Sequence, residues 1–203
     1  MKVLLATQNP AKIAELKHGI ALYSGDIECV TLADLQINNE PSETGKTFEE
    51  NSLLKARYYA EKAHLPALAD DGGIMIDILN GEPGIKSKRW LGRGATDSEL
   101  IKHTLLRLNG VPLEKRTARL AACLTFFNPE TNQVIQQQEA VEGYIALEPT
   151  KKIIPGFPYR SLFVVDAFDT YYDELTEDEH AKINHRLRAI SELVPRITNI
   201  PEE

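Results

Sequence analysis

Two neighbouring aspartates, Asp70-Asp71, stand directly before Gly72-Gly73, and further carboxylates lie upstream at Glu43, Glu49 and Glu50. A hard divalent cation such as Mg²⁺ takes one or two carboxylates and completes its shell with water and phosphate oxygens. Aspartates at a strand end, followed by two glycines, are expected in a loop that can approach a ligand closely. Asp-Gly is also ordinary turn chemistry, and a solvated turn is an equal alternative. A second set is Thr7-Gln8-Asn9-Pro10-Ala11-Lys12, where a strand runs into a helix N-terminus. The unpaired N–H groups of such a terminus bind anions. Lys12 in the first turn opposes the helix dipole at a cost of up to about 1 kcal/mol, which a bound phosphate would reverse. A capped helix with a solvated lysine is the plainer alternative. The third set is Asn184-His185-Arg186. Ile183, Leu187 and Ile190 mark the buried stripe there, so His185 and Arg186 are expected to point elsewhere, as a polar face.

These side chains need elements to hold them. Residues 2–6 read as a short buried strand, and Asn9 with Pro10 as the cap and first position of a helix carrying Ile13, Leu16 and Ile20. A second strand is expected over 27–32 and a polar loop over 38–45. Thr47-Phe48-Glu49-Glu50 has the form of a capping box, which gives Glu50 a structural role and opens a helix to about Ala63. Residues 67–69 form another apolar strand, and the alternation of Ile74, Ile76 and Ile78 suits a strand after the glycines. Thr96-Asp97-Ser98-Glu99 and Thr176-Glu177-Asp178-Glu179 are two further boxes, the second starting a last helix through Ile190. Residues 116–147 carry long β segments with a turn at 128–132. Strands alternating with helices around a β-rich middle predict an α/β fold with a mixed sheet: one domain over 1–203 with a β-rich lobe at about 112–170.

Composition narrows the function classes. The chain has 203 residues, 42% hydrophobic and 26% charged, which is enough for a substantial core. A net charge of −7 without a basic run disfavours a nucleic-acid polymer as partner, because such binders need a continuous cationic surface. A small anion remains compatible, since a few local lysines and a divalent metal outweigh distant acidic charge. Cys29 and Cys123 are far apart and outside any CxxC pattern, which suggests packed thiols in a reducing compartment. No segment has the length of a secretory or membrane-spanning apolar run, so the cytoplasm is expected.

Taken in order, these segments resemble the inosine/xanthosine triphosphate pyrophosphatase family, enzymes that remove non-standard purine nucleoside triphosphates. The resemblance runs through Ala6-Thr7-Gln8-Asn9, Glu43-Thr44-Gly45-Lys46-Thr47-Phe48-Glu49-Glu50-Asn51 and Leu54-Lys55-Ala56-Arg57. It is strongest across residues 65–73 and 81–89, and returns at Gly156-Phe157, Tyr159, Phe163, Glu174-Leu175-Thr176 and Ile183-Asn184-His185-Arg186. It implies an elongated mixed β-sheet flanked by helices, in two lobes with a central cleft for the nucleotide, and a homodimer. It also implies Mg²⁺-dependent cleavage to monophosphate and pyrophosphate. By matching positions, Glu43 and Asp71 would hold the metal, and Asp71, with Asp70, would orient or deprotonate the attacking water. Thr7, Asn9, Lys12 and Lys55 would line the triphosphate pocket. Phe157 would stack on the base, with Tyr159 and Arg160 in the same segment, while His185 and Arg186 would approach its polar edge. The chain departs from the family at Pro158, Arg160, Thr170 and Asn184. Arg160 replaces a carboxylate and Thr170 a phosphate-binding lysine. Lys151, Lys152 or Arg160 is the candidate substitute for that missing charge.

Overall fold

Strand β1 (Lys2–Leu5) is apolar on both faces because it lies inside a sheet, parallel to β2 (Glu28–Thr31) on one side and to β3 (Ala67–Ile76) on the other. Residues 1–92 and 94–198 are described by this computed structural model. Helix α1 (Pro10–Tyr23) starts as its sequence dictates. The Asn9 side chain accepts the N–H groups of Ala11 and Lys12, and Pro10 occupies the first turn. Helix α2 (Phe48–Ala63) is capped by Thr47, which accepts the Glu50 N–H. The expected reciprocal bond does not form at Thr47: the Glu50 carboxylate takes the N–H of Lys46 at 2.6 Å, tying the preceding loop to the helix. Helix α3 (Asp97–Arg107) and the short α4 (Glu177–Ile183) both carry the full capping box, from Thr96 to Glu99 and from Thr176 to Glu179.

Strands β4 (Thr117–Asn128) and β5 (Gln133–Ile145) make the long β segments. They are followed by β6 (Phe163–Val165) and β7 (Thr170–Tyr171). One seven-stranded sheet has the order β2-β1-β3-β4-β5-β6-β7. Its β1 pairs are parallel and its β5-β6 and β6-β7 pairs antiparallel, so the sheet is mixed and flanked by helices, as expected for the α/β class.

Two expectations are corrected. First, β3 is one continuous strand of ten residues rather than two strands joined by a loop, so Asp70 and Asp71 lie within a strand. Gly73 permits this. A Cβ there would stand 2.0 Å from Ser87 Oγ and 2.6 Å from the Gly84 carbonyl, so Gly73 serves close packing and not a turn. The strand also stops at Ile76: Asp77–Leu79 is a 3₁₀ turn, and Ile78 is exposed. Second, the last helix is broken. Asn184, at ψ 108°, separates α4 from α5 (His185–Thr198), a break that an unbroken Ile183-Leu187-Ile190 periodicity conceals.

The described chain divides into two compact units. One comprises Met1–Asp71, Ala122–Glu139 and the segment from His185 onward; the other comprises Gly72–Ala121 and Ala140–Asn184. The first unit has a core on each sheet face. Val3, Leu5, Leu16, Ile20, Leu68 and Ile190 pack on the side of α1 and α5, and Leu4, Ala6, Ala56, Tyr59, Ala67 and Ala69 on the side of α2. The second unit packs Ile74, Ile76, Leu100, Leu120, Phe163 and Tyr172 around α3 and the 3₁₀ turns. Cys123 is buried and Cys29 half-buried, both as free thiols. Among the described residues no helix is long and apolar enough to cross a membrane.

Candidate active site

Strand alternation assigns Asp70 and Asp71 to opposite faces of β3, and each meets a different set of cations. Asp70, only 1% exposed, shares the face of Leu68 with α1 and α5. Lys12 Nζ lies 3.2 Å from its Oδ1, and Arg186 Nε lies 2.5 Å from its Oδ2. Arg186 Nη1 also reaches Glu15 Oε2 at 3.4 Å. Burial pushes the Asp70 carboxyl up, but Arg186 and Lys12 outweigh it and hold the group well below the usual carboxylate range. The helix-dipole cost at Lys12 is therefore answered by a carboxylate of the protein itself. Desolvation still leaves the Lys12 ammonium below its ordinary value.

Asp71 faces α2. Lys55 Nζ lies 2.7 Å from Asp71 Oδ1, 3.3 Å from Glu43 Oε1 and 2.7 Å from the Asp70 carbonyl oxygen, to which it donates. Two carboxylates, one from β3 and one from the loop before α2, thus converge on a single ammonium. The Lys55 ammonium is disfavoured by burial, yet Asp71 and Glu43 raise it above its ordinary value. Asp71 is the reverse case. Desolvation raises its carboxyl despite the nearby Lys55, and its Oδ2 is buried with no hydrogen-bond partner among the described residues.

Thr7 and Asn9 shape the start of α1: Thr7 Oγ1 accepts the Asn9 N–H at 3.2 Å, and Asn9 Oδ1 accepts from Ala11 at 2.9 Å. His185 and Arg186 do not form a polar face. Both are buried at the start of α5, with His185 Nε2 3.4 Å from Arg186 Nη1. The break at Asn184 rephases the helix, which is why the stripe read across it misplaces them.

Phe157, Tyr159 and Arg160 belong to the second unit, in and beside the 3₁₀ turn Pro158–Ser161. Phe157 has the extended φ of −131° expected before a proline, but a ψ of only 59°. Arg160 is 3% exposed, and its guanidinium lies 3.6 Å from the Phe157 ring centre and 4.7 Å from that of Tyr172. Tyr159 donates to the Ser87 carbonyl at 2.5 Å. Lys151 and Lys152 are exposed, and Thr170 lies half-buried in β7.

Sequence reasoning gave no individual role to Glu15 or Asn51. Nothing local marks Glu15, because its significance comes from Arg186 across the fold. Asn51 had a readable signal: it is a polar residue four positions before Lys55, hence on the same helix face. Among the described residues no group of three or more His, Cys, Asp or Glu side chains gathers to cage a metal. The two carboxylates at Lys55 are the number that Mg²⁺ takes from a protein when phosphates and water supply the rest.

The chain is similar over nearly its whole length to proteins of one family. The Ham1 family matches residues 3–196. A protein of Thermoanaerobacter pseudethanolicus named dITP/XTP pyrophosphatase is 38% identical over 203 residues, covering 100% of both chains. Among solved structures, a HAM1 protein from Coxiella burnetii superposes with a TM-score of 0.85 at 33% identity, over 98% of this chain and 100% of that one. A nucleoside-triphosphatase / dITP/XTP pyrophosphatase from Mycobacterium abscessus gives 0.75 at 36% identity, over 96% and 100%.

Proposed function

The chain belongs to the Ham1 family, and on that footing we propose that it hydrolyses a non-standard purine nucleoside triphosphate, of inosine, xanthosine or deoxyinosine type, to the monophosphate and pyrophosphate. The observation that carries the reading is the convergence of Glu43 and Asp71 on one cationic point, with an oxygen of Asp71 left unpaired. Those hard oxygens fit Mg²⁺. When bound, Mg²⁺ neutralises charge on the phosphates and polarises the phosphoryl group under attack.

The remaining work falls to the chain's own residues. Asp71 is the base that orients water and accepts its proton, its Oδ2 being free of any hydrogen-bond partner among the described residues. Asp70 has both oxygens engaged by Lys12 and Arg186, so it organises charge and leaves proton transfer to its neighbour. Lys12 and Lys55 stabilise negative charge on the departing pyrophosphate, with Thr7 and Asn9 lining the start of α1 beside them. Base-binding roles for Phe157, Tyr159 and His185 rest on the resemblance alone, while Arg186 is engaged by Asp70 and Glu15. The enzyme works on free nucleotides as a cytoplasmic homodimer, with no nucleic-acid polymer or membrane as partner.

Pyrophosphate release from inosine, xanthosine, deoxyinosine and the standard triphosphates, with and without Mg²⁺, tests this reading. Mg²⁺-dependent release from the hypoxanthine and xanthine nucleotides is expected. Tight binding without release would overturn it in favour of a nucleotide-binding regulator. The guanidinium of Arg160 against Phe157 favours one second reading, the same chemistry on another base. A maximum for a different nucleotide in the same panel would establish that reading.

A further inference from the structure

Glu43 lies in a loop without regular secondary structure, between residue 38 and the start of α2. A carboxylate there can share a cation with Asp71 only if the loop backbone is held, because ordering each residue costs on the order of 1–2 kcal/mol. The first two turns of α2 hold it. Asn51, 0% exposed, accepts the Gly45 N–H on its Oδ1 at 2.8 Å. Glu50 takes the adjacent Lys46 N–H, and Lys55, one turn beyond Asn51, meets the Glu43 carboxylate itself. The packing at this clamp is close: a Cβ at Gly45 would stand 2.6 Å from Asn51 Oδ1 and 2.9 Å from the Asn51 backbone nitrogen. The other end of the amide, Nδ2, is buried with no hydrogen-bond partner among the described residues. An unpaired buried donor is a destabilising feature that an apolar filler would avoid. Asn51 is therefore accounted for by its acceptor end, at Gly45.

We propose that Asn51 is a positioning residue for the hydrolytic reaction: through the Gly45 N–H it fixes the loop that presents Glu43 to the divalent cation shared with Asp71. The inference rests on the metal-dependent reading above, and Asn51 itself touches neither substrate nor metal.

The test uses the full chain as Asn51→Ala. Two readouts are followed: the Mg²⁺ concentration for half-maximal pyrophosphate release, and the affinity for Mn²⁺ alone from the loss of its free electron-paramagnetic signal. Loss of the clamp is expected to raise the Mg²⁺ midpoint about tenfold and weaken Mn²⁺ binding by a similar factor, the scale of one hydrogen bond. The kcat at saturating Mg²⁺ stays within about threefold. Thr96→Ala, which removes a helix cap, is the control: it lowers the melting temperature and leaves both metal readouts unmoved. Should Asn51→Ala fail to fold, Asn51→Ser, too short to reach Gly45, carries the same expectation. A Mg²⁺ midpoint and Mn²⁺ affinity within twofold of wild type, with only the melting temperature reduced, would overturn the proposal. Failure of the wild type to release pyrophosphate would remove the hydrolytic reading instead, and the Mn²⁺ titration would still decide the role of Asn51 in the metal site.

Discussion

Asp70 and Asp71 are one residue type in adjacent positions, and a strand turns them to opposite faces. That geometry separates their functions and makes them separable by experiment. Asp70→Asn leaves Arg186 and Lys12 without their buried partner, a change that costs about 3–5 kcal/mol. The folded-state carboxyl lies below its unfolded value, so its contribution is present above the unfolded value of about 3.9 and is lost as pH falls through the folded one. Urea midpoints of wild type and Asp70→Asn should therefore differ widely at pH 7 and draw together in strong acid. Asp71→Asn should behave otherwise, with kcat down at least about a hundredfold and a native circular-dichroism spectrum. If Asp71→Asn kept wild-type turnover while Asp70→Asn lost it, the two assignments would have to be exchanged.

At the scale of elements, the helix starts were largely legible. Asn9-Pro10, Thr96-Glu99 and Thr176-Glu179 act where they stand, because a cap is a contact between residues two or three apart. The Asp-Asp-Gly-Gly run reads as a strand end leading into a loop, because glycine serves loops, turns and close approaches alike. Only the 3₁₀ turn Gly84–Arg89, arriving at β3, shows which use applies. Ser87 Oγ donates to the Gly84 carbonyl at 2.6 Å and accepts the Ile74 N–H at 3.1 Å, which leaves no room beside Gly73. Gly73→Ala should destabilise the fold by about 2–3 kcal/mol, read as a melting temperature lower by roughly 5–10 °C for a chain of this size. An unchanged melting temperature would show that the turn can move aside.

For the whole molecule, ligand and fold are linked by mass action. A ligand held only by the native state at a hundred times its Kd adds about 2.7 kcal/mol, or roughly 5–10 °C at this chain length. Calorimetry with Mg²⁺ and a non-hydrolysable inosine triphosphate analogue should show that rise, while Mg²⁺ alone should give less, because Lys55 already occupies the two carboxylates. An equal shift from Mg²⁺ alone would mean that the ion binds away from Glu43 and Asp71. Lys12, Lys55 and Arg186 meet Asp70, Asp71, Glu43 and Glu15 in the first unit's charged centre, so an anionic substrate there needs the charge of a divalent cation besides the lysines.

The sequence by itself determined the α/β class, the order of the elements and the helix caps, because these follow from periodicity and from contacts between near neighbours. It also supplied the motif order that placed the chain beside its relatives. The pairing of carboxylates with cations was decided only by the tertiary structure. Asp70 meets Lys12 across 58 positions of chain and Arg186 across 116, and no local pattern encodes a meeting of that span. The same holds for Asn184, where a periodic apolar stripe continues through a break in the helix. Short-range propensity can build each element, but the electrostatics of a buried site depend on which elements the packed core brings together.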